Sequence, residues 1–180
     1  MMKNMNDNAG FTLIELVIVI VILGVLAVTA APRFIDLSDD ANDSVTLAQM
    51  GAFKSGVNLL HAKWQIRRQS SISISGQTVE FTDDGWPKGS TDDSVGCAEL
   101  WSEVFADAEP VTVLNNYTDT LSAGWNAFYY GEVCGYIKSQ SGGGTVYPSN
   151  TPHFAYYMTN FSEPSAGYTG SPGEVKIYNL

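Results

Sequence analysis

The chain opens with a long apolar run. From Phe11 to Ala31, Glu15 is the only charged residue among 21 positions, and the apolar side chains cover every side of a helix rather than one stripe. A helix of this length rises about 30 Å, which matches the hydrocarbon core of a bilayer. A carboxylate at such depth costs about 2.5–3.5 kcal/mol on insertion scales. We therefore expect Glu15 to have a partner.

The pattern becomes amphipathic after Pro32. Apolar residues then recur at spacings of mostly three and four, as in one stripe of a helix: Phe34, Leu37, Ala41, Val45, Ala48, Ala52, Val57, Leu60 and Trp64. Acidic residues come early and basic residues late, as a helix dipole favours. The pattern predicts one helix from about Phe11 to Arg67. It has a hydrophobic half, 11–31, and an amphipathic half, 32–68, that packs on a globular head.

The remaining residues, 69–180, are predicted to form a β-rich head. Strand-like stretches lie between glycine-, proline- and serine-rich turns: Ser71–Ser75, Thr78–Phe81, Ala127–Lys138, His153–Thr159 and Glu174–Tyr178. A short helix is predicted over Ala98–Ala108. The fold class is therefore α+β, with a long helical spine packed on a head that contains an antiparallel sheet.

The net charge and the two cysteines limit the classes of function that the chain can have. The net charge of −10 argues against nucleic acid as a partner, because phosphate recognition relies on Lys and Arg. Cys97 and Cys134 are the only cysteines. In an exported chain such a pair usually forms one disulfide, and two buried free thiols are the alternative.

Three interpretations of the apolar run compete. A secretory signal peptide would use Val28-Thr29-Ala30 as its cleavage site, but the run is long for one and contains Glu15. A plain membrane anchor explains the length and leaves Glu15 without a reason. In the third interpretation a peptidase cuts after Gly10, and the new α-amino group of Phe11 is a cation that can pair with the Glu15 carboxylate of a neighbouring subunit.

The third interpretation matches a known family. Gly10 followed by Phe11-Thr12-Leu13-Ile14-Glu15-Leu16 resembles the processing motif of type IV pilins of the type IVa class. The resemblance implies a leader, 1–10, that a membrane peptidase removes after Gly10 before methylating Phe11. It also implies an assembly role for Glu15, and a helix that Gly24 and Pro32 weaken. The leader departs from the family in carrying one Lys and one Asp where members tend to be basic.

The head resembles one subgroup more closely. Gly85-Trp86-Pro87, then Cys97 followed by Leu100-Trp101, then a cysteine in a tyrosine-rich strand are similar to the pilins of mannose-sensitive haemagglutinin fibres. The resemblance implies an inner-membrane precursor with its head in the periplasm, and then an extracellular homopolymer used for attachment. Implied partners are the prepilin peptidase, the assembly machinery and minor pilins. A pseudopilin of a type II secretion system is the alternative, and an enzyme with a signal anchor is a third class.

No catalytic or cofactor motif is found. His61 and His153 lie in no metal-type spacing, and P-loop, dinucleotide and GxSxG motifs are missing from the sequence. We expect His61 to be solvated near the end of the helix and His153 to start a strand. Asp83, Asp84, Asp92 and Asp93 could gather around calcium, although aspartates in such loops are usually only solvated. The sequence therefore predicts no enzyme, no cofactor and no metal.

Overall fold

The computed structural model describes residues 11–74, 76–105, 107–116, 118–146 and 151–180, and within the first range the side chains of residues 31–39 lie outside that description. The leader and Gly10 are therefore not described. The chain divides into two compact units, Met1–Ala41 and Asn42–Leu180. Helix α1, Leu13–Arg67, contributes to both units.

The ends of α1 follow local chemistry. The helix begins after Thr12, whose side chain and backbone are bonded to Glu15, and it ends where Arg68 takes a left-handed conformation with φ of 52°. The N–H of Arg68 still donates to the carbonyl of Trp64, at 2.7 Å, which closes the last turn. The predicted helix over 11–67 agrees with these bounds to within two residues.

The predicted stripe on the amphipathic half is wrong in part. Val57 and Leu60 are buried, but Ala41, Val45, Ala48 and Ala52 are exposed. The buried face instead contains Thr46 and Phe53. The step of five residues from Ala52 to Val57 explains the error, because five residues turn a helix by about 140° from its starting face. The apolar positions thus form two faces, only one of which the head covers.

Within the described residues, the head contains three sheets. A five-stranded sheet has the order β10-β7-β6-β5-β4, a second sheet has the order β1-β2-β3, and β8 pairs with β9. The strands are β1 Ser71–Ile74, β2 Gln77–Phe81, β3 Pro87–Lys88, β4 Val111–Val113, β5 Gly124–Tyr129, β6 Val133–Ser139, β7 His153–Tyr157, β8 Phe161–Glu163, β9 Tyr168–Gly170 and β10 Val175–Tyr178. All pairings are antiparallel except that of β4 with β5, which is parallel. The α+β class is confirmed, with one parallel pair that was not expected.

Two predicted elements have different bounds in the structure. The stretch Ala127–Lys138 is not one strand but parts of β5 and β6, joined by a tight turn at Gly131 and Glu132, both with positive φ. The short helix α2 is Ser94–Val104, four residues earlier than predicted. Asp93 caps its N-terminus by accepting hydrogen bonds from the N–H groups of Val95 and Gly96. Asp93 is a good N-cap residue, and this signal was available in the sequence.

The main core joins the buried face of α1, helix α2 and the five-stranded sheet. Phe53 lies at its centre, with ring centroids 4.9–6.3 Å from those of five other aromatic residues: Trp101, Phe105, Tyr136, Phe154 and Tyr156. A further cluster on the same unit packs Leu60 against Ile72, Val79 and Phe81. Aromatic packing of this kind stabilises a core beyond its buried area, and it holds residues 42–67 of α1 on the head.

Candidate assembly surfaces

The Glu15 carboxylate has a partner on its own chain. One of its oxygens accepts hydrogen bonds from both the backbone N–H and the side-chain hydroxyl of Thr12, each at 2.8 Å. The Thr12 hydroxyl in turn accepts from the N–H of Glu15 at 3.3 Å. This is a capping box, a reciprocal pairing that satisfies donors at the start of a helix. The Thr-x-x-Glu spacing predicts it from sequence, and our sequence interpretation did not use that signal.

The first part of α1 carries apolar side chains that nothing in the described chain covers. Leu13–Ala30 is long and apolar enough to cross a membrane, with a mean hydropathy of 3.0, and none of it is buried. Phe11, at the predicted new N-terminus, is 91% exposed. A helix that is apolar all round needs lipid or other protein around it.

The backbone of α1 is helical through both predicted weak points. A Cβ added at Gly24 would meet no atom within 4 Å, so no packing contact within this chain requires glycine there. The backbone at Pro32 is helical, and its side chain lies outside the described part. Glycine costs about 1 kcal/mol and proline about 3 kcal/mol in a helix interior. That this segment melts in a fibre remains a prediction.

The second exposed surface is on the head half of α1. Within residues 44–62, the side of α1 opposite Phe53 and Val57 is exposed and carries no charged residue. We call this side the outer face, and it consists of Ser44, Ala48, Gly51, Ala52, Ser55, Asn58, Leu59 and Ala62. The Ser55 hydroxyl donates to the carbonyl of Gly51 at 2.9 Å, so it is bonded within the helix. Solvent-facing helix sides usually carry charge. The outer face is instead neutral, and its side chains are small except those of Asn58 and Leu59, which suits close approach of another helix.

A disulfide joins Cys97 on α2 to Cys134 on β6, and both cysteines are buried. Beside it, the Tyr136 hydroxyl donates to the carbonyl of Cys97 at 2.7 Å. Burial raises the pKa of Tyr136 well above its usual value, so this hydroxyl keeps its proton. The disulfide and this hydrogen bond together fix α2 on the five-stranded sheet.

The histidines differ in how well they were predicted. His61 is not simply solvated: its ring stacks on Trp86 with centroids 4.0 Å apart, and its Nδ1 lies 2.7 Å from the carbonyl oxygen of Gly85. The ring of Trp64, three residues along the same helix, and the ring of Trp86, distant in sequence, supply this environment. His153 does start a strand, and its Nε2 lies 2.7 Å from the Tyr168 hydroxyl. Burial lowers the pKa of His153.

The four loop aspartates form no metal site among the described residues: Asp83, Asp84 and Asp92 line one open pocket with Lys88, and Asp93 lies outside it. Asp93 caps α2 and also accepts from the Thr91 hydroxyl at 2.7 Å, and these hydrogen bonds lower its pKa. Asp92 pairs with Lys88 at 2.9 Å, while Asp83 and Asp84 are exposed. In the part of the chain that the structure describes, no group of three or more metal-type side chains is suitably placed for a metal ion.

Glu103, near the end of α2, was not singled out by the sequence. Its Oε2 is buried and has no hydrogen-bond partner among the described residues. Burial raises the pKa of Glu103 to about 7, and the nearby carboxylates of Glu99 and Glu80 add to the effect. The head therefore carries a carboxyl group that changes charge near neutral pH.

Comparison with known proteins gives matches at the N-terminal side. Residues 5–31 match the model of the prokaryotic N-terminal methylation motif. The chain is 56% identical over 46 residues to the type IV narrow pilus major component PilA5 of Thermus thermophilus, covering 26% of this chain and 40% of that protein. It is 41% identical over 80 residues to the type IV major alpha-pilin of Moraxella bovis, covering 43% of this chain and 50% of that protein.

A third relative is fimbrial protein Q of Moraxella bovis, 41% identical over 54 residues. The match covers 30% of this chain and 34% of that protein. These matches thus span half or less of the length of each curated relative. No solved structure shows significant similarity to the chain. The chain therefore carries the N-terminal methylation motif and is similar to type IV pilins over that region, whereas the comparisons say nothing specific about most of the head.

Proposed function

We propose that this protein is the structural subunit of a type IV pilus of the mannose-sensitive haemagglutinin type, used for attachment to surfaces. The precursor waits in the inner membrane on Leu13–Ala30 with its head in the periplasm. A prepilin peptidase cuts after Gly10 and methylates Phe11. The inner-membrane assembly machinery, with minor pilins, then moves the subunit from the membrane into a fibre outside a Gram-negative cell.

The observation that carries this proposal is the uncovered surface of α1. Leu13–Ala30 has no buried side chain, and the outer face of the head half is neutral and exposed. Lipid covers the first surface before assembly, but a periplasmic head leaves the second in water. Neighbouring copies of α1 cover both at once in a polymer. A contact that joins different surfaces of successive copies, and that does not close, produces an open helical filament.

The assignment to one subgroup rests on the head. The Gly85-Trp86 pair lies against the end of α1, with Trp86 stacked on His61, and the disulfide loop lies in the middle of the chain. These are the residues on which the resemblance to mannose-sensitive haemagglutinin pilins depends. Attachment as the task of the fibre follows from that resemblance.

Mass spectrometry of subunits sheared from cells tests the proposal. We expect a chain that begins at methylated Phe11. Gly10→Val should leave the leader attached, because the peptidase needs a small side chain at the cut, whereas the control Ala9→Val adds two methyl groups one position earlier and should be processed. A mature chain that starts after Ala30 would overturn the proposal in favour of a signal peptide. Normal processing with a strictly periplasmic location would instead indicate a secretion pseudopilin.

A further inference from the structure

The head has an open groove at the side of α1. Its volume is about 440 Å³, and it lies between the helix residues Val45 and Gln49 and the segment that follows α2. Phe105, Ala108 and Trp125 supply apolar walls. An opening of this size accommodates one large aliphatic side chain with its flanking groups, and its apolar walls favour such an occupant.

The rim of the groove carries an acidic group. Asp107 is exposed and makes no ion pair within the described residues. The other two charged residues at the rim offset each other, because Lys138 Nζ lies 3.5 Å from a carboxylate oxygen of Glu109. The rim therefore has one uncompensated negative charge, which favours an occupant with positive charge beside its apolar side chain.

The end of α1 has the complementary features. Ile66 is 85% exposed, more than any other large hydrophobic side chain described in residues 42–180. A β-branched residue has no propensity advantage at an exposed helix position. Lys63 and Arg67 flank Ile66, and neither makes an ion pair in the part of the chain that the structure describes. The end of α1 therefore presents an exposed apolar side chain with two cationic side chains near it in the sequence.

We propose that Ile66 of one subunit inserts into the groove of a second copy of this chain, with Arg67 and Lys63 beside the second copy's Asp107. Within a subunit, Gln49 and Ile66 are separated by 17 residues of helix, or about 26 Å along its axis. Ile66 and the groove therefore lie on different surfaces of the same head. Each copy offers this groove and one Ile66, so the contact can pass from copy to copy, and in the proposed open fibre it repeats without closing.

This inference rests on the proposed polymer and identifies one of its contacts. Basic groups on this acidic chain are few, with 9 Lys and Arg against 19 Asp and Glu. Lys63, Arg67 and Arg68 concentrate three of them at the end of one helix. That concentration is what makes a second copy a suitable occupant for a negatively charged rim.

Cysteine cross-linking in assembled fibres tests the contact. The two native cysteines are bonded to each other, so engineered cysteines are the free thiols of a variant chain. Cells that express Ile66→Cys and Gln49→Cys chains together should yield disulfide-linked dimers after mild oxidation. Leu59→Cys with Gln49→Cys is the matched control, since Leu59 is exposed on the same helix about two turns earlier. We expect about tenfold more dimer from the first pair, a ratio that corresponds to about 1.4 kcal/mol.

Charge exchange provides a second readout that needs no cross-link. Arg67→Glu and Asp107→Arg should each lower the fibre yield, and the two together in one chain should restore much of it. Ile66→Asp should lower the yield about tenfold, while Val95→Asp, at an exposed hydrophobic position on α2, should leave it within about twofold.

The outcomes separate this contact from the polymer itself. Wild-type fibres that form normally, with equal cross-linking by both cysteine pairs and no rescue by the charge exchange, would overturn the contact and leave the pilus proposal intact. If wild-type cells make no fibres that contain this chain, the pilus proposal fails and the contact fails with it. If cysteine variants do not assemble, the charge exchange alone decides, because rescue requires that the two charges meet.

Discussion

The helical segment Leu13–Ala30 buries none of its side chains, whereas the unit Asn42–Leu180 buries a core of aromatic rings around Phe53. Both regions are rich in apolar residues. They differ in pattern: the first is apolar on all sides, while the second alternates apolar and polar positions along short strands. The head is therefore stable through contacts within one chain, whereas the N-terminal segment needs lipid or other protein around it.

The largest effect is expected at Glu15, the charged residue within the exposed segment. The Glu15→Val chain should insert into the membrane and lose its leader normally. It should nevertheless lower the fibre yield by about tenfold or more, because the α-ammonium group of a neighbouring Phe11 is left unpaired in an apolar core. Yield is measured from sheared fibres, and processing by the mass of the subunit.

Glu15→Gln distinguishes charge from capping. Glutamine can replace glutamate in a capping box, so the contacts to Thr12 are retained while the charge is lost. If the charge is what assembly needs, Glu15→Gln should fail as Glu15→Val does. Normal fibres from Glu15→Gln would show that the capping box is the reason for this residue, and would refute intersubunit pairing.

The next largest effect concerns the head alone. Cys97→Ser opens a loop with a sequence separation of 37, which should lower the free energy of unfolding by about 4 kcal/mol in the chain-entropy description. Leader removal should be unaffected, because it occurs before the head is oxidised. Urea unfolding of the detergent-solubilised chain, followed by tryptophan fluorescence, measures the loss. Cys134→Ser should give the same value, and a much smaller loss from either change would contradict the expectation.

Glu103 makes head stability depend on pH. Its folded-state pKa of about 7 lies above the unfolded value of 4.5. Both states are protonated below pH 4.5, and between that pH and 7 the unfolded chain ionises first, so stability falls as pH rises. The side chain is partly exposed, and we therefore expect a discounted loss of about 1–2 kcal/mol.

Glu103→Gln should remove that dependence and leave the head more stable than wild type at pH 7.5. Unfolding curves at pH 5 and 7.5 provide the measurement. Asp107→Asn is the control, because it removes an exposed carboxylate four residues further along the chain. An unchanged pH dependence in Glu103→Gln would show that another group is responsible.

The smallest effect is expected at Gly24, where an added methyl group meets nothing. Gly24→Ala should stabilise the local helix by about 1 kcal/mol and leave leader removal unchanged. If the segment up to Pro32 must melt for a fibre to lengthen, variant fibres should extend less under the same pulling force. The control Ala27→Gly should have the opposite effect, and equal extension of all three fibres would argue against melting.

Much of the fold followed from patterns of a few residues. The long helix, the start of β7 at His153 and an α+β head were predicted within a few residues of their observed bounds. The errors came where a tertiary partner or a cap decided the outcome. The N-cap at Asp93 moved α2 by four residues, and the turn at Gly131 and Glu132 divided one predicted strand into two.

The candidate assembly surfaces were harder to predict from the sequence than the helices and strands. Glu15 and the apolar run could be identified from sequence because a charge in such a run is rare and the motif is local. The outer face, the groove beside Trp125 and the buried oxygen of Glu103 could not, because each depends on residues that only the fold brings together. His61 was expected in solvent for the same reason: its partner Trp86 is far from it in sequence.

The order and spacing of residues along the chain are enough to identify the membrane-length segment, the methylation motif at its start and the single possible pairing of two cysteines. The side of α1 that the head covers depends instead on how the chain folds. Apolar spacing marks two faces, at Val45–Ala52 and at Phe53–Leu60, and the aromatic rings of the head select the second. The choice follows from shape complementarity with Trp101, Tyr136 and Phe154, which helical periodicity cannot encode.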